Sequence, residues 1–193
     1  MSTEFTSLEK RLAHRIRAER EKRGWSLADL AARSGVSRAM ISKIEREESS
    51  PTAALLGRLS AAFGITLSQL LARIEDGGGR LNRHAEQERW TDPATGFQRR
   101  ALTPAIPGGA PLELVWGDLP AGAEVAYPAA AYGMIDDQQI LVVEGRLCFR
   151  QGEASYDLAP GDCLRLGPPE DCVFVNPGTT PCRYVIAILR RDR

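Results

Sequence analysis

The sequence predicts a chain in two parts, a bundle of five short helices followed by an all-β sandwich or barrel. Three observations predict it. From Leu8 to about Arg73 the apolar residues recur at helical spacing, whereas beyond the glycine-rich stretch "EDGGGR" (75–80) they fall in short runs that alternate between two faces. Charge divides at the same place: residues 1–75 carry 13 basic and 9 acidic side chains, and the remainder 12 and 16. With 193 residues, 43% hydrophobic and 26% charged, the chain can bury two small cores. A basic part joined to an acidic one suits a first half that meets a polyanion and a second that does not.

The helices follow from their punctuation. Leu8, Leu12 and Ile16 stand four apart in the first, which stops at Gly24. Ser26 is the N-cap of the second, which carries Leu27, Leu30 and Ala31 to Gly35, and Ser37 caps the third. Pro51-Thr52 opens a fourth helix through Leu55, Leu56 and Leu59 to Phe63, with Gly64 as its stop, and Thr66-x-x-Gln69 forms a capping box for a fifth. Each is too short to be stable alone, so they must pack together.

In the second half, "LELVW", "ILVV", "RLCF", "CLRL", "VFV" and "RYVIAIL" are separated by Gly and Pro turns such as "PAG", "QGE", "APGD" and "NPG". Evenly spaced short strands of this kind make sandwiches or barrels. The stretch from Leu81 to Gly109 has no clean period and reads as a linker with one or two edge strands. The expected division is 8–74, 75–109 and 110–190.

The third helix carries more surface chemistry than its length needs. Met40, Ile41 and Ile44 face one way, and Arg38, Ala39, Ser42, Lys43 and Arg46 the other. An outward helix start lined by cationic and hydrogen-bonding groups suits the major groove of DNA, where Arg or Lys pairs with guanine and small residues approach thymine methyls. Glu45 shares a row with Ile41 and, partly buried, needs a cation. Trp25 reads as bundle core.

"RGWSLADLAARSGVSRAMISKIEREESSPT" resembles the XRE-type helix-turn-helix of the Cro and phage-repressor family at Gly24, Ser26, Leu30, Ala31, Gly35, Ser37, Ile41, Ile44, Glu45 and Pro51, and the resemblance extends from about Leu12 to Leu71. It implies that Arg38, Ala39, Ser42 and Lys43 read bases and that Arg17, Ser26, Ser37 and Arg46 contact phosphate. It also supplies Arg20 as the structural partner of Glu45.

The Pro120–Gly122 turn, Val143-Glu144-Gly145, Ala159-Pro160-Gly161-Asp162 and Asn176 resemble the cupin fold, a small jelly-roll barrel. Together the two resemblances imply a cupin-fused transcriptional regulator. Many cupins hold a metal with His and Glu, and this sequence departs from that pattern: the corresponding positions are Gln138, Tyr132 and Cys172. The chain has two histidines, His14 and His84, and neither lies on a matching strand. No metal or other cofactor is therefore expected, and no enzymatic metal chemistry. An organic ligand is, with Tyr132, Gln138, Arg165 and Cys172 as pocket candidates and Arg165 as a carboxylate clamp.

The four cysteines, Cys148, Cys163, Cys172 and Cys182, lack zinc spacing and read as free thiols of a reducing cytosol. The amino terminus is polar and acidic, and no apolar run approaches the ~20 residues of a membrane span. The expectation is a cytoplasmic homodimer that binds a double-stranded operator under control of a small-molecule effector, without membrane contact. The competing readings are a cupin enzyme that carries a DNA-binding domain and an antitoxin-like interaction protein.

Overall fold

The computed structural model of the chain describes residues 7–71, 80–106 and 109–191. Five helices come first: α1 (Ser7–Lys22), α2 (Leu27–Ser34), α3 (Arg38–Glu45), α4 (Ala53–Phe63) and α5 (Leu67–Leu71). Their ends are fixed by local chemistry. Ser26 Oγ accepts from Asp29 N at 3.1 Å while the Asp29 carboxylate accepts from Ser26 N at 2.8 Å, a capping box at the start of α2. Ser37 Oγ accepts from Met40 N at 3.2 Å to open α3. Gly35 and Gly64, both at φ 66°, close α2 and α4 in the left-handed region that glycine enters without penalty. Thr66 and Gln69 satisfy each other's backbone N–H at 3.1 and 2.9 Å. Leu12, Ile16, Leu30, Ile41, Ile44, Leu56, Leu59 and Phe63 form the core between these helices. Trp25 packs at its margin, stacked on Phe63 at 6.1 Å with the Arg33 guanidinium 4.5 Å over its ring.

The strands are β1 (Arg89–Thr91), β2 (Gln98–Ala101), β3 (Leu112–Leu119), β4 (Glu124–Tyr127), β5 (Ile135–Glu144), β6 (Leu147–Gln151), β7 (Ala154–Leu158), β8 (Cys163–Arg165), β9 (Cys172–Val175) and β10 (Cys182–Arg190), with a 3-10 turn at Ala129–Tyr132. They form an antiparallel sheet ordered β1-β2-β3-β10-β5-β8 and a second ordered β4-β9-β6-β7. Val115, Ile140, Val142, Ile186 and Ile188 of the first sheet are buried, as are Val125, Leu147, Phe149 and Phe174 of the second. Phe174 stacks on Tyr184 across the gap at 5.6 Å. Gly117 makes room for that ring, since a Cβ there would lie 2.5 Å from a Tyr184 ring carbon.

Of the sandwich or barrel that the sequence allows, the β part takes a jelly-roll form of two facing sheets. Among the described residues no ladder joins the two sheets. Where β8 passes towards β9 the chain carries Pro168 and Pro169, which have no N–H to donate. Gln151 holds this crossing instead, donating to Pro168 O at 2.9 Å and accepting from Gly167 N at 3.1 Å. Within the 81–109 stretch, β1 and β2 extend the larger sheet outward from β3. Residues 75–79 of the glycine-rich break lie outside the described residues.

The helical and β parts are packed against each other through α4. It lies on β4 and the 3-10 turn, and its Gly57 sits so close that an added Cβ would be 3.2 Å from Tyr127 Cδ1 and 3.5 Å from both Ala131 Cβ and Pro128 Cδ. Buried Asp92, just after β1, accepts from Ala53 N at 3.1 Å and so places a carboxylate at the positive end of α4. Arg99 donates to Ser68, Thr66 Oγ1 lies 3.4 Å from the Glu113 carboxylate, and Arg11 pairs with Glu88. Each of these contacts joins a helix to the sheet unit.

Candidate functional site

The first candidate surface is built by α2 and α3. Ser26, Leu27 and Ala28 at the start of α2 and Arg38, Ala39, Ser42, Lys43 and Arg46 along α3 line one shallow concavity of about 450 Å³. The alternation of α3 produces this: Ile41 and Ile44 are 0% and 1% exposed in the core, which turns Arg38, Ala39 and Lys43 outward. Whereas the Lys43 carbonyl accepts from Glu48 N at 2.8 Å, the side chains of Arg38 and Lys43 form no hydrogen bond or ion pair among the described residues, so their cationic heads are available to a ligand. Arg46 is held by Glu48 through two 2.8 Å bonds, and Arg17, on α1 outside the concavity, is held by Glu21 at 2.8 Å. These pairs lower the Glu21 and Glu48 carboxyls and raise both guanidinium pKa values. A phosphate meeting Arg17 or Arg46 must replace a carboxylate. Ser26 and Ser37 spend their hydroxyl oxygens as caps, leaving their hydroxyl protons; that of Ser26 points at Asp29 at 2.7 Å.

Arg20 and Glu45 lie behind this surface. They form a two-bond ion pair, and Arg20 Nη1 also donates to Trp25 O at 2.9 Å. This locks α1, the α1–α2 turn and α3 into one body.

The second candidate site is a cavity of about 360 Å³ at one end of the sandwich. Tyr132, Ile135, Gln138, Gln151, Leu166 and Pro168 contribute to its wall, and Asp136, Asp137, Arg165 and Arg191 to its charged lining. Gln138 is 6% exposed, and its Oε1 is buried without a hydrogen-bond partner. Tyr132 Oη and Cys172 Sγ share a hydrogen bond at 2.6 Å, and either can donate. Burial raises the Tyr132 phenol well above its ordinary value and pushes the Cys172 thiol up to about 11.

The structure thus brings Tyr132, Gln138 and Arg165 to one cavity and sets Cys172 outside its lining, hydrogen-bonded to Tyr132. Arg165 lies at the edge. Its side chain is 73% exposed and bound to Asp137 at 3.0 Å, because β8 turns it away from the interior; a clamp would have to break that pair. Asp136, Asp137, Gln151 and Arg191 are lining residues that the sequence did not single out. Asp137 and Gln151 had a signal, since they flank positions already assigned to strands. Arg191 follows the last strand and has none. Among the described residues no three His, Cys, Asp or Glu side chains gather as metal ligands would, and no helix is long and apolar enough to cross a membrane.

A helix-turn-helix family model matches residues 16–70. The chain is 41% identical over 61 residues to the HTH-type transcriptional regulator SutR of Escherichia coli, a match covering 32% of this chain and 34% of that protein. It therefore spans about a third of the length of that relative. It is 33% identical over 97 residues to the HTH-type transcriptional regulator DdrOP3 of Deinococcus deserti, covering 49% of this chain and 73% of that one. Among solved structures, an HTH_3 family transcriptional regulator from Vibrio cholerae superposes with a TM-score of 0.76 at 24% identity, over 96% of this chain and 98% of that one. The helical bundle and the two-sheet unit thus occur together in that arrangement in another protein.

Proposed function

Because the chain belongs to the helix-turn-helix transcriptional regulators, we propose that it reads a specific double-stranded operator with the outer face of α3 and that a small organic molecule in the sandwich cavity controls that binding. The observation that carries the first part is the uncommitted pair Arg38 and Lys43, set with Ala39 and Ser42 in the same concavity as the start of α2. A cation free of internal partners can give paired hydrogen bonds to a guanine edge, and a small neighbour lets the helix approach. Arg17, Arg46, Ser26 and Ser37 surround this face as phosphate contacts, which position the helix without reading sequence. One short helix reads too few bases for a genome, so two protomers bind two half-sites about one DNA turn apart.

Control by a ligand is supported by the connection between cavity and helices. Tyr132 lines the cavity and ends the 3-10 turn, whose Ala131 lies against Gly57 of α4. The start of that turn is fixed by Ala129 N donating to Asp171 Oδ1 at 2.7 Å. A molecule that displaces Tyr132 from Cys172 moves the turn, and α4 must follow or lose its packing. The unpartnered Gln138 Oε1 asks for a donor, and the Asp136, Asp137, Arg165 and Arg191 lining asks for a polar molecule. The effector is therefore a small polar metabolite with an N–H or O–H group at its buried end. The chain acts as a cytoplasmic sensor and carries out no reaction.

The test is to capture fragmented genomic DNA with the purified chain at fixed salt and sequence what is retained. A shared, two-fold repeated motif is expected; recovery of DNA without any common motif sinks the operator reading. Gly57→Leu tests the connection. Overpacking against the 3-10 turn costs on the order of 1–3 kcal/mol, and the variant should keep operator binding while losing its response to the metabolite. An intact response in Gly57→Leu removes this route.

A further inference from the structure

The four charged side chains that line the sandwich cavity are not equivalent. Asp137 and Arg165 are committed to each other through a hydrogen bond of 3.0 Å. Asp136 and Arg191 stand 3.7 Å apart, close enough for charge attraction and too far for a hydrogen bond. Among the described residues neither of these two side chains forms a hydrogen bond, and both are more than half exposed. They therefore face each other across the mouth of the cavity with their donors and acceptors unspent.

The backbone produces this arrangement. Along the ladder between β5 and β10, Leu189 stands opposite Asp137 and Arg190 opposite Ile135, so Asp136 is the extra residue of a bulge. Bulges re-aim side chains and are over-represented beside functional sites. Here the bulged residue contributes to the cavity together with Gln138, two positions on, whose buried Oε1 has no partner. Arg191 directly follows β10, and its backbone N donates to Met134 O at 3.1 Å, which holds it beside the start of β5. Ile135, Leu166 and Pro168 give the wall its apolar surface. A carboxylate and a guanidinium thus lie side by side, with a lone acceptor next to the carboxylate and apolar surface around them.

A ligand with only a carboxylate satisfies Arg191 but is repelled by Asp136. One with only an amine satisfies Asp136 and Gln138 but is repelled by Arg191. A molecule that carries an ammonium and a carboxylate on one carbon meets all three groups at once, because its two charges are as close together as the two side chains that receive them. We propose that the effector is a free α-amino acid, with its carboxylate on Arg191, its ammonium between Asp136 and Gln138 Oε1, and its side chain against Ile135, Leu166 and Pro168. Such a ligand has no net charge, so the balance of two arginines and two aspartates survives binding, and Arg165 keeps its bond to Asp137. The inference rests on the reading of this cavity as the effector site and names the class of molecule that the site takes.

Thermal shift of the full chain with each proteinogenic amino acid, in both enantiomers, tests the class, followed by calorimetry on those that raise the melting temperature. At least one should do so, and its analogues lacking the carboxylate or the amine should bind roughly tenfold more weakly or worse. Arg191→Gln and Asp136→Asn should each weaken the amino acid by a similar factor. Arg191→Gln should also leave the amine analogue bound as well as before or better, and Asp136→Asn should do the same for the acid analogue, an exchange that a merely structural role does not produce. Both side chains are exposed, so the variants should fold, as circular dichroism will show; if one does not, the analogue series on the wild type decides alone. Analogues that bind as tightly as the amino acid overturn the two-charge recognition. If no amino acid binds while a neutral or singly charged metabolite raises the melting temperature and loses that effect in Gln138→Leu, the amino acid class is refuted and the cavity remains the effector site. A ligand whose binding survives Gln138→Leu and both mouth variants removes the cavity reading and this inference together.

Discussion

Arg20 and Glu45, 25 residues apart in the chain, meet through two bonds of 2.8 Å, Nε to Oε1 and Nη2 to Oε2, with side chains only 12% and 8% exposed. Two parallel bonds between planar groups fix orientation as well as distance. The pair ties α1 to the back of α3, so the helix that presents Arg38 and Lys43 cannot roll without breaking it.

Glu45→Gln leaves the Arg20 cation buried without its countercharge. Loss of a buried partner costs on the order of 3–5 kcal/mol, reduced here because the amide oxygen can still accept one bond and Trp25 O another. A clear fall in melting temperature is expected, with operator affinity retained at temperatures where the variant remains folded. A melting temperature equal to wild type would show that the pair adds nothing to stability.

Arg38→Ala combined with Lys43→Ala should abolish discrimination between operator and random DNA while the melting curve is unchanged. Each lost base contact costs about 1–3 kcal/mol of discrimination. Arg17→Ala and Arg46→Ala should instead weaken binding to all sequences alike and flatten the salt dependence by about one unit of slope each. Titrations of both DNA types at several salt concentrations separate the two classes; discrimination that survives in the double variant excludes this face as the reader.

The helical half was legible because its signals are local. Ser26, Ser37, Gly35 and Gly64 each lie beside the periodic run they delimit, and the bonds they make span a few residues. The inward rows Gln138-Ile140-Val142 and Cys172-Phe174-Asn176 were equally readable, since a strand alternates by necessity and all six side chains are buried. What lay beyond the sequence was long-range. Asp92 capping α4 across 39 residues and Tyr132 meeting Cys172 across 40 leave no periodic trace. The outer side of the sheet was hidden for another reason: Leu114 and Leu141 are apolar like their buried neighbours, so alternation cannot say which side is wet.

Cys172 and Cys182 should be inert in the native chain at neutral pH. Burial pushes both thiols up to about 11, which keeps the nucleophilic thiolate scarce, whereas Cys163 is exposed. Alkylation followed by mass spectrometry should label Cys163 and spare Cys172 and Cys182 until the chain unfolds. The pH dependence has a definite sign. The unfolded chain gives up these thiol protons at the ordinary thiol range, before the native chain does, so their contribution to stability is intact below that range and is lost as pH rises towards about 11. Oxidants should accordingly leave operator binding unaffected through Cys172. Rapid native labelling of Cys172 at neutral pH would restore a redox role.

Gln138 should trade stability for sensing. Its Oε1 is buried against the cavity without a partner, a state that costs roughly 1–3 kcal/mol. On this β5 row its neighbours Ile140 and Val142 are apolar, and nothing in the packing of the strand requires an amide between them and the cavity. Gln138→Leu keeps the approximate size and removes the orphaned acceptor, so the variant should melt at or above the wild-type temperature. The ligand gains that acceptor when it binds, and it stabilises the folded chain by RT ln(1 + [L]/Kd), so a metabolite that raises the melting temperature of wild type should do so much less in Gln138→Leu. The two readouts move in opposite directions, which a purely structural amide cannot produce: a core amide would lower the melting temperature on replacement, and an idle one would leave the metabolite shift unchanged.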